Sequence, residues 1–276
     1  MDRLFYLAFG LGILPLALGL IFRPRDDGAA RWMPSAASIL QCALAFNLTF
    51  FWQELWLVIP KAMTPGLHPI LFHNNHDWSG TSPITELLQG TGAIATLVSG
   101  LVFSGALALA KRASLVWRLF FFWMAFQGLF QALVQLAIGS LLSGNDVGRA
   151  LVYLGLGTAM KIAFLLLAAI AMAAAGYWLA RRFPGGPLGT IVYSGLFSVI
   201  LIIPFRVPRN AIEVVMVPLI INLIGTGWLI LGGAIARKHD GAIRVEPVRW
   251  SLIGPGLALC ATLLFFQLVL RPGIPF

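Results

Sequence analysis

The sequence predicts an all-α, polytopic transmembrane helix bundle, and three observations carry that prediction. Of 276 residues, 59% are hydrophobic and only 11% are charged, against roughly 25% charged in soluble domains. Mean hydropathy is +0.89, so no core of this size could hide the apolar side chains from water. The apolar residues also fall in runs of about 20, the length that crosses a bilayer as a helix. An ordinary soluble enzyme, a disordered chain and a disulfide scaffold are excluded on this composition. No polar stretch is long enough to fold by itself, so residues 1–276 read as a single transmembrane domain.

About eight spans result from runs bounded by charge, Pro or Gly. Leu4 to Phe22 is closed by Arg23-Pro24-Arg25 and carries no small-residue cleavage pattern, so it reads as a span rather than a removed signal. Ser35 to Ile59 ends at Pro60-Lys61, and Ile84 to Ala110 stops at Lys111-Arg112. Leu115 to Leu142 runs into Ser143-Gly144-Asn145. Ala150 to Leu179 stops before Arg181-Arg182, and could begin nearer Thr158 with a short helix ahead of it. Leu188 to Pro204 is short and ends on proline; Ala211 to Ala236 and Ser251 to Leu270 complete the set. Cys42 and Cys260 lie within apolar runs and read as small buried hydrophobes. No internal repeat is visible.

The few charges supply orientation. The formal charge of +9 would suggest nucleic acid in a soluble protein; here the bilayer is the expected partner and no nucleic acid is. Linkers after the odd-numbered spans hold eleven Lys and Arg, the opposite linkers and ends hold six, and Arg118 and Lys161 lie within spans. The positive-inside rule therefore makes the odd-numbered linkers cytoplasmic and both termini external, which suits a bacterial cell inner membrane. On that topology Asp2, Glu54, Asp77, Glu86, Asp146 and Glu213 gather at the outer face with His68, His73 and His76. Ionisable groups against a span are costly unless paired, hydrated or bound, so this face is where a site is expected.

The loop from Pro60 to Trp78 is the densest part. His73 and His76 are three apart, which on a helical turn would put both imidazoles on one side. Neutral imidazole is a common ligand for a divalent metal such as Zn. Asp146 and Asp77 are candidate partners, and Glu54 is a candidate third ligand or general base. The plain alternative is an interfacial loop hydrogen-bonding lipid headgroups, with Trp78 as an anchor. Gln127, Gln131 and Gln135 are spaced four apart and must face inward, as interhelical glue or as the lining of a polar path with Asn47 and Glu54. Arg206 and Arg209 suit a phosphate or carboxylate ligand, although an Arg209–Glu213 pair would also start the next helix. Lys161 snorkels to an interface or meets an acid such as Glu86.

Two segments resemble the signatures of site-2-type intramembrane zinc metalloproteases. They are Gln53-Glu54-Leu55-Trp56-Leu57 and Asn145-Asp146-Val147-Gly148-Arg149. Gln89-Gly90-Thr91-Gly92-Ala93 is similar to the glycine-rich stretch beyond the first motif in that family. The resemblance implies Glu54 as general base and Asp146 as a zinc ligand. Gln53 and Leu57 stand where that family carries its two histidines, so the family's zinc site does not exist as written.

Three functions fit this reading. One is a membrane subunit whose outer cluster binds a ligand, a lipid headgroup or a membrane-protein partner, which requires no special geometry. Another is a membrane-embedded metal-dependent hydrolase built on Glu54, His73, His76 and Asp146. The third is a small-solute or proton transporter using Glu54, Glu86, Gln131 and Gln135.

Overall fold

The computed structural model describes residues 9–22, 35–184, 189–240 and 252–276. The start of the first predicted span and the linkers at 23–34 and 241–251 lie outside the described residues. Among the described residues, seven helices are long and apolar enough to cross a membrane, and Gly10–Ile21 is a shorter apolar helix. The architecture is an all-α bundle, as the apolar runs predict.

In chain order, a single π-turn Phe9–Ile13 leads into α1 (Leu14–Ile21). Next comes α2 (Ala36–Ala62), whose first turn is capped by Ser35 accepting from the Ser38 amide. Two strands come next, β1 (Leu67–Leu71) and β2 (His76–Gly80), then a turn of helix, α3 (Thr85–Leu88). The predicted third span is α4 (Thr91–Leu109), and the fourth is α5 (Leu115–Leu141). The fifth divides into a short α6 (Asp146–Tyr153) and a long α7 (Thr158–Ala180). The remainder is α8 (Gly189–Arg206), α9 (Val217–Asp240) after a π-turn, α10 (Ile253–Phe265) with a second π-turn, and β3 (Ile274–Pro275).

Helices α2 and α5 are the axis of the bundle. Helix α2 packs against α4, α5, α8 and α10, while α5 packs against α2, α4, α6, α7 and α9. Burial keeps that order: 78% of the apolar window of α5 lies inside the protein, against 22% for α7. The outer helices accordingly expose Leu101, Leu166, Ile170 and Leu257, as lipid-facing helices do. Within the core, Trp123, Phe126 and Phe130 run along α5 with Phe46 of α2 beside them. Helices α4 and α5 approach through Gly100 and Gly128; a Cβ on Gly100 would lie 2.5 Å from the Leu129 amide nitrogen.

The loop after α2 is the main departure from expectation. It is not a helical turn but an antiparallel hairpin, pairing Leu67 with Gly80 through Leu71 with His76. The run at 72–75 closes it, with the Phe72 amide donating to the Asn75 carbonyl at 2.8 Å. Gly66 and Gly80 have φ of +83° and +91°, the left-handed region where a side chain is strained. Strand β3 completes a three-stranded sheet on the other edge of β1. Cys42 is buried as expected, whereas Cys260 is exposed on the outer face of α10; both are free thiols.

Candidate functional site

The hairpin packs over the end of α2 and seals a group of charged side chains beneath it. Glu54 points inward from α2 and is 4% exposed. Its Oε2 accepts from Nδ1 of His76 at 2.7 Å. Nε2 of the same ring lies 3.3 Å from Nζ of Lys61, two turns further along α2 and fully buried. Lys61 also donates to the Leu57 carbonyl at 2.8 Å. The three titratable groups form a continuous chain, Lys61 to His76 to Glu54. Trp78 closes it: its ring stacks on His76 at 5.7 Å and lies 4.9 Å from the Lys61 ammonium.

Polarity is set by the donors present. With Lys61 as an ammonium, which only donates, the geometry requires Nε2 of His76 to accept and Nδ1 to donate to the Glu54 carboxylate. Shifting both protons one step along leaves Lys61 neutral, His76 with its proton on Nε2, and Glu54 protonated. One positive charge has then travelled from Lys61 to Glu54 with no heavy atom leaving the site.

Asp146 opens α6 nearby, where Asn145 caps the helix by accepting from the Gly148 amide at 2.9 Å. Its carboxyl is pushed above the usual range, first by burial and then by the Glu54 carboxylate, with His76, Lys61 and Arg149 opposing. Arg149, three residues on from Asp146, takes a different carboxylate. It forms a fork on Glu86, Nε to Oε2 at 2.6 Å and Nη2 to Oε1 at 2.8 Å. Glu86 therefore pairs with Arg149 rather than Lys161, which instead lines a cavity of about 410 Å³ between the end of α5 and the start of α7.

His73 and His76 have separate tasks. His73 sits in the hairpin turn with Nε2 donating to the Val207 carbonyl at 3.0 Å, while Asn74 donates to the Arg206 carbonyl at 2.8 Å. These two bonds hold the hairpin turn to backbone carbonyls at the end of α8, that of Arg206 also accepting from the Arg209 amide. Burial holds the His73 imidazole below its usual range, the Val207 hydrogen bond opposes this, and Arg271, Arg206 and Arg209 add repulsion. The expected convergence of His73, His76 and Asp146 on one ion is not the arrangement found: each imidazole serves its own partner. Among the described residues, no group of three or more His, Cys, Asp or Glu is placed to hold a metal ion.

A polar ladder descends from this end between α2 and α5. Gln135 donates to Gln53 at 2.7 Å. One and two turns deeper, Gln131 donates to Gln127 at 3.1 Å and Gln127 to Asn222 at 2.8 Å. Asn222 reaches the Gly195 carbonyl at 3.1 Å and the Ser198 hydroxyl at 3.3 Å, tying α9 to α8. Asn47 turns back to its own Ala43 carbonyl at 2.8 Å rather than joining Glu54. On the far side of the hairpin, Arg209 pairs with Glu213, which also accepts from Asn210 at 2.7 Å.

Sequence reasoning found Glu54, His76 and Asp146 but not their wiring. Lys61 counted there only as a charge for topology, and Asn222 drew no attention. Lys61 was detectable: Glu54 and Lys61 are seven apart, two helical turns on one face. Compared with protein families, curated proteins and solved structures, the chain finds no match. The fold and site define a multi-pass membrane protein, a helix bundle with a small sheet and a buried ionisable cluster at one end.

Proposed function

We propose that the chain transfers protons, as a transporter or the proton-handling part of one, along Lys61, His76 and Glu54. The observation that supports this reading is the unbroken hydrogen-bonded chain of three buried titratable groups. Buried charge is expensive, and chains of Glu and His against a membrane span are a recurrent form of proton relay. The Gln53–Gln135 pair beside Glu54, and the ladder below it, supply polar groups toward mid-span.

The test is flux. Protein reconstituted in liposomes enclosing a pH-sensitive dye should acidify the lumen under an imposed potential. Glu54→Gln keeps the shape but not the charge, and His76→Phe removes the link; each should slow acidification about tenfold or more. Liposomes no faster than empty ones, or variants equal to wild type, would overturn the proposal.

A second reading is a membrane subunit that binds a ligand, lipid or protein partner without translocation. It is favoured by Gln127, Asn222 and Ser198, which bond one another at the bundle centre. For either reading we take the hairpin end as the outer face, on the excess of basic residues in the opposite linkers.

A further inference from the structure

Arg206 ends α8, is 2% exposed, and has no counter-ion among the described residues. Its Nε and Nη1 are both buried without a hydrogen-bond partner. The guanidinium lies 3.9 Å over the Phe50 ring, but a cation–π contact is worth less than the cost of burying a charge. Nearby acids are engaged elsewhere. Glu54 lies within electrostatic reach yet is bonded to His76, and Glu213 is bonded to Arg209 and Asn210. Arg206, Arg209 and Arg271 all act on His73 of the hairpin turn, so positive charge gathers there. The end of α8 beside the hairpin turn thus holds a buried guanidinium with unfilled donors among basic side chains.

We propose that Arg206 anchors an oxyanion, a phosphate group carried by a lipid headgroup or free in solution. Guanidinium is the side chain best matched to phosphate oxygens, and it stays charged when desolvated. Arg206 stands at the end of a membrane-length helix, the depth at which lipid phosphates lie. Its backbone is fixed by Asn74, and that of Val207 by His73, so the side chain is presented from a held position. Arg209, the other arginine of this turn, is already neutralised by Glu213. The assignment is independent of proton transfer by Glu54.

The test uses the full chain, delipidated in detergent and phosphate-free buffer. One arm adds inorganic phosphate and measures melting temperature. The other adds to the detergent-solubilised protein either phosphatidylglycerol or, as a phosphate-free control, a diacylglycerol of the same chains. Stabilisation in the first arm identifies free phosphate, and in the second a lipid headgroup. In either, Arg206→Gln should weaken the apparent affinity about tenfold or more, while Arg209→Gln should change it less than about twofold. Should Arg206→Gln fail to fold, native mass spectrometry of the wild type still decides, by whether phosphate or phosphatidylglycerol remains bound after delipidation. No stabilisation and no retained anion, or an Arg206→Gln response equal to wild type, would overturn the assignment.

Discussion

Glu54 and His76 stand 22 residues apart in the chain, yet Oε2 of one and Nδ1 of the other meet at 2.7 Å with both side chains under 8% exposed. Their union depends on the hairpin folding back over α2. Removing one member leaves the other buried and uncompensated, which costs about 3–5 kcal/mol. We predict that Glu54→Ala lowers unfolding free energy in detergent by that order, and that Glu54→Leu with His76→Leu recovers part of it. A double variant no better than the single would show that the pair is not coupled.

Two groups at this end give opposite pH slopes. Folded His73 refuses a proton that the unfolded chain accepts below pH 6.5, so stability falls as pH drops through that window. Folded Asp146 keeps a proton that the unfolded chain loses above pH 3.8, so its contribution falls as pH rises from there to its elevated value. Melting curves across this range should show His73→Gln flattening the first slope and Asp146→Asn the second. An unchanged profile in both variants would disprove this account.

The mid-span amides are predicted to act as a unit. Gln127→Leu or Asn222→Leu alone strands a buried partner and should cost about 1–3 kcal/mol, while the double variant should cost less than the sum. Additive losses in the cycle would mean that the 2.8 Å bond between them contributes little.

Gly100 and Gly128 let two helix backbones touch. Gly100→Val has no room, since the obstacle is the Leu129 backbone rather than a movable side chain end. It should destabilise by at least about 1–3 kcal/mol, as overpacking does, whereas Gly105→Val, with open space around it, should be nearly silent. Equal melting temperatures for the two variants would contradict the packing described.

Orientation is open to labelling. A cysteine at Ser79, exposed on β2, in a chain lacking Cys42 and Cys260, should react with a membrane-impermeant maleimide from outside intact cells. Reaction only after lysis would reverse the proposed topology.

The helices were legible because a span has one strong requirement, about 20 predominantly apolar residues, and Leu115–Leu141 meets it despite Arg118 and three glutamines. The division of the fifth run into a short helix and a long one starting at Thr158 matches the alternative start that the sequence allows. The hairpin was harder. Pro69 argues against a strand, and the three-residue step from His73 to His76 invited a helical turn. Leu67, Pro69 and Leu71 do alternate inward, and Asn74-Asn75 between two short runs is a turn signal, so the pattern was present but weak. At the site, composition could gather the ionisable groups at one end, and did. It could not decide which carboxylate each cation meets. That choice, Arg149 to Glu86 and His76 to Glu54, is made by how α6 packs on α3 and the hairpin on α2.

Strand β3 joins residues about two hundred positions apart, with the Phe276 amide donating to the Pro69 carbonyl at 3.0 Å. The hairpin lying over α2 is therefore tied on its far edge to residues that follow α10 and its π-turn. Cutting that short strand away should loosen the sheet from one side while leaving the β1–β2 pairing that carries His76 and Trp78 in register.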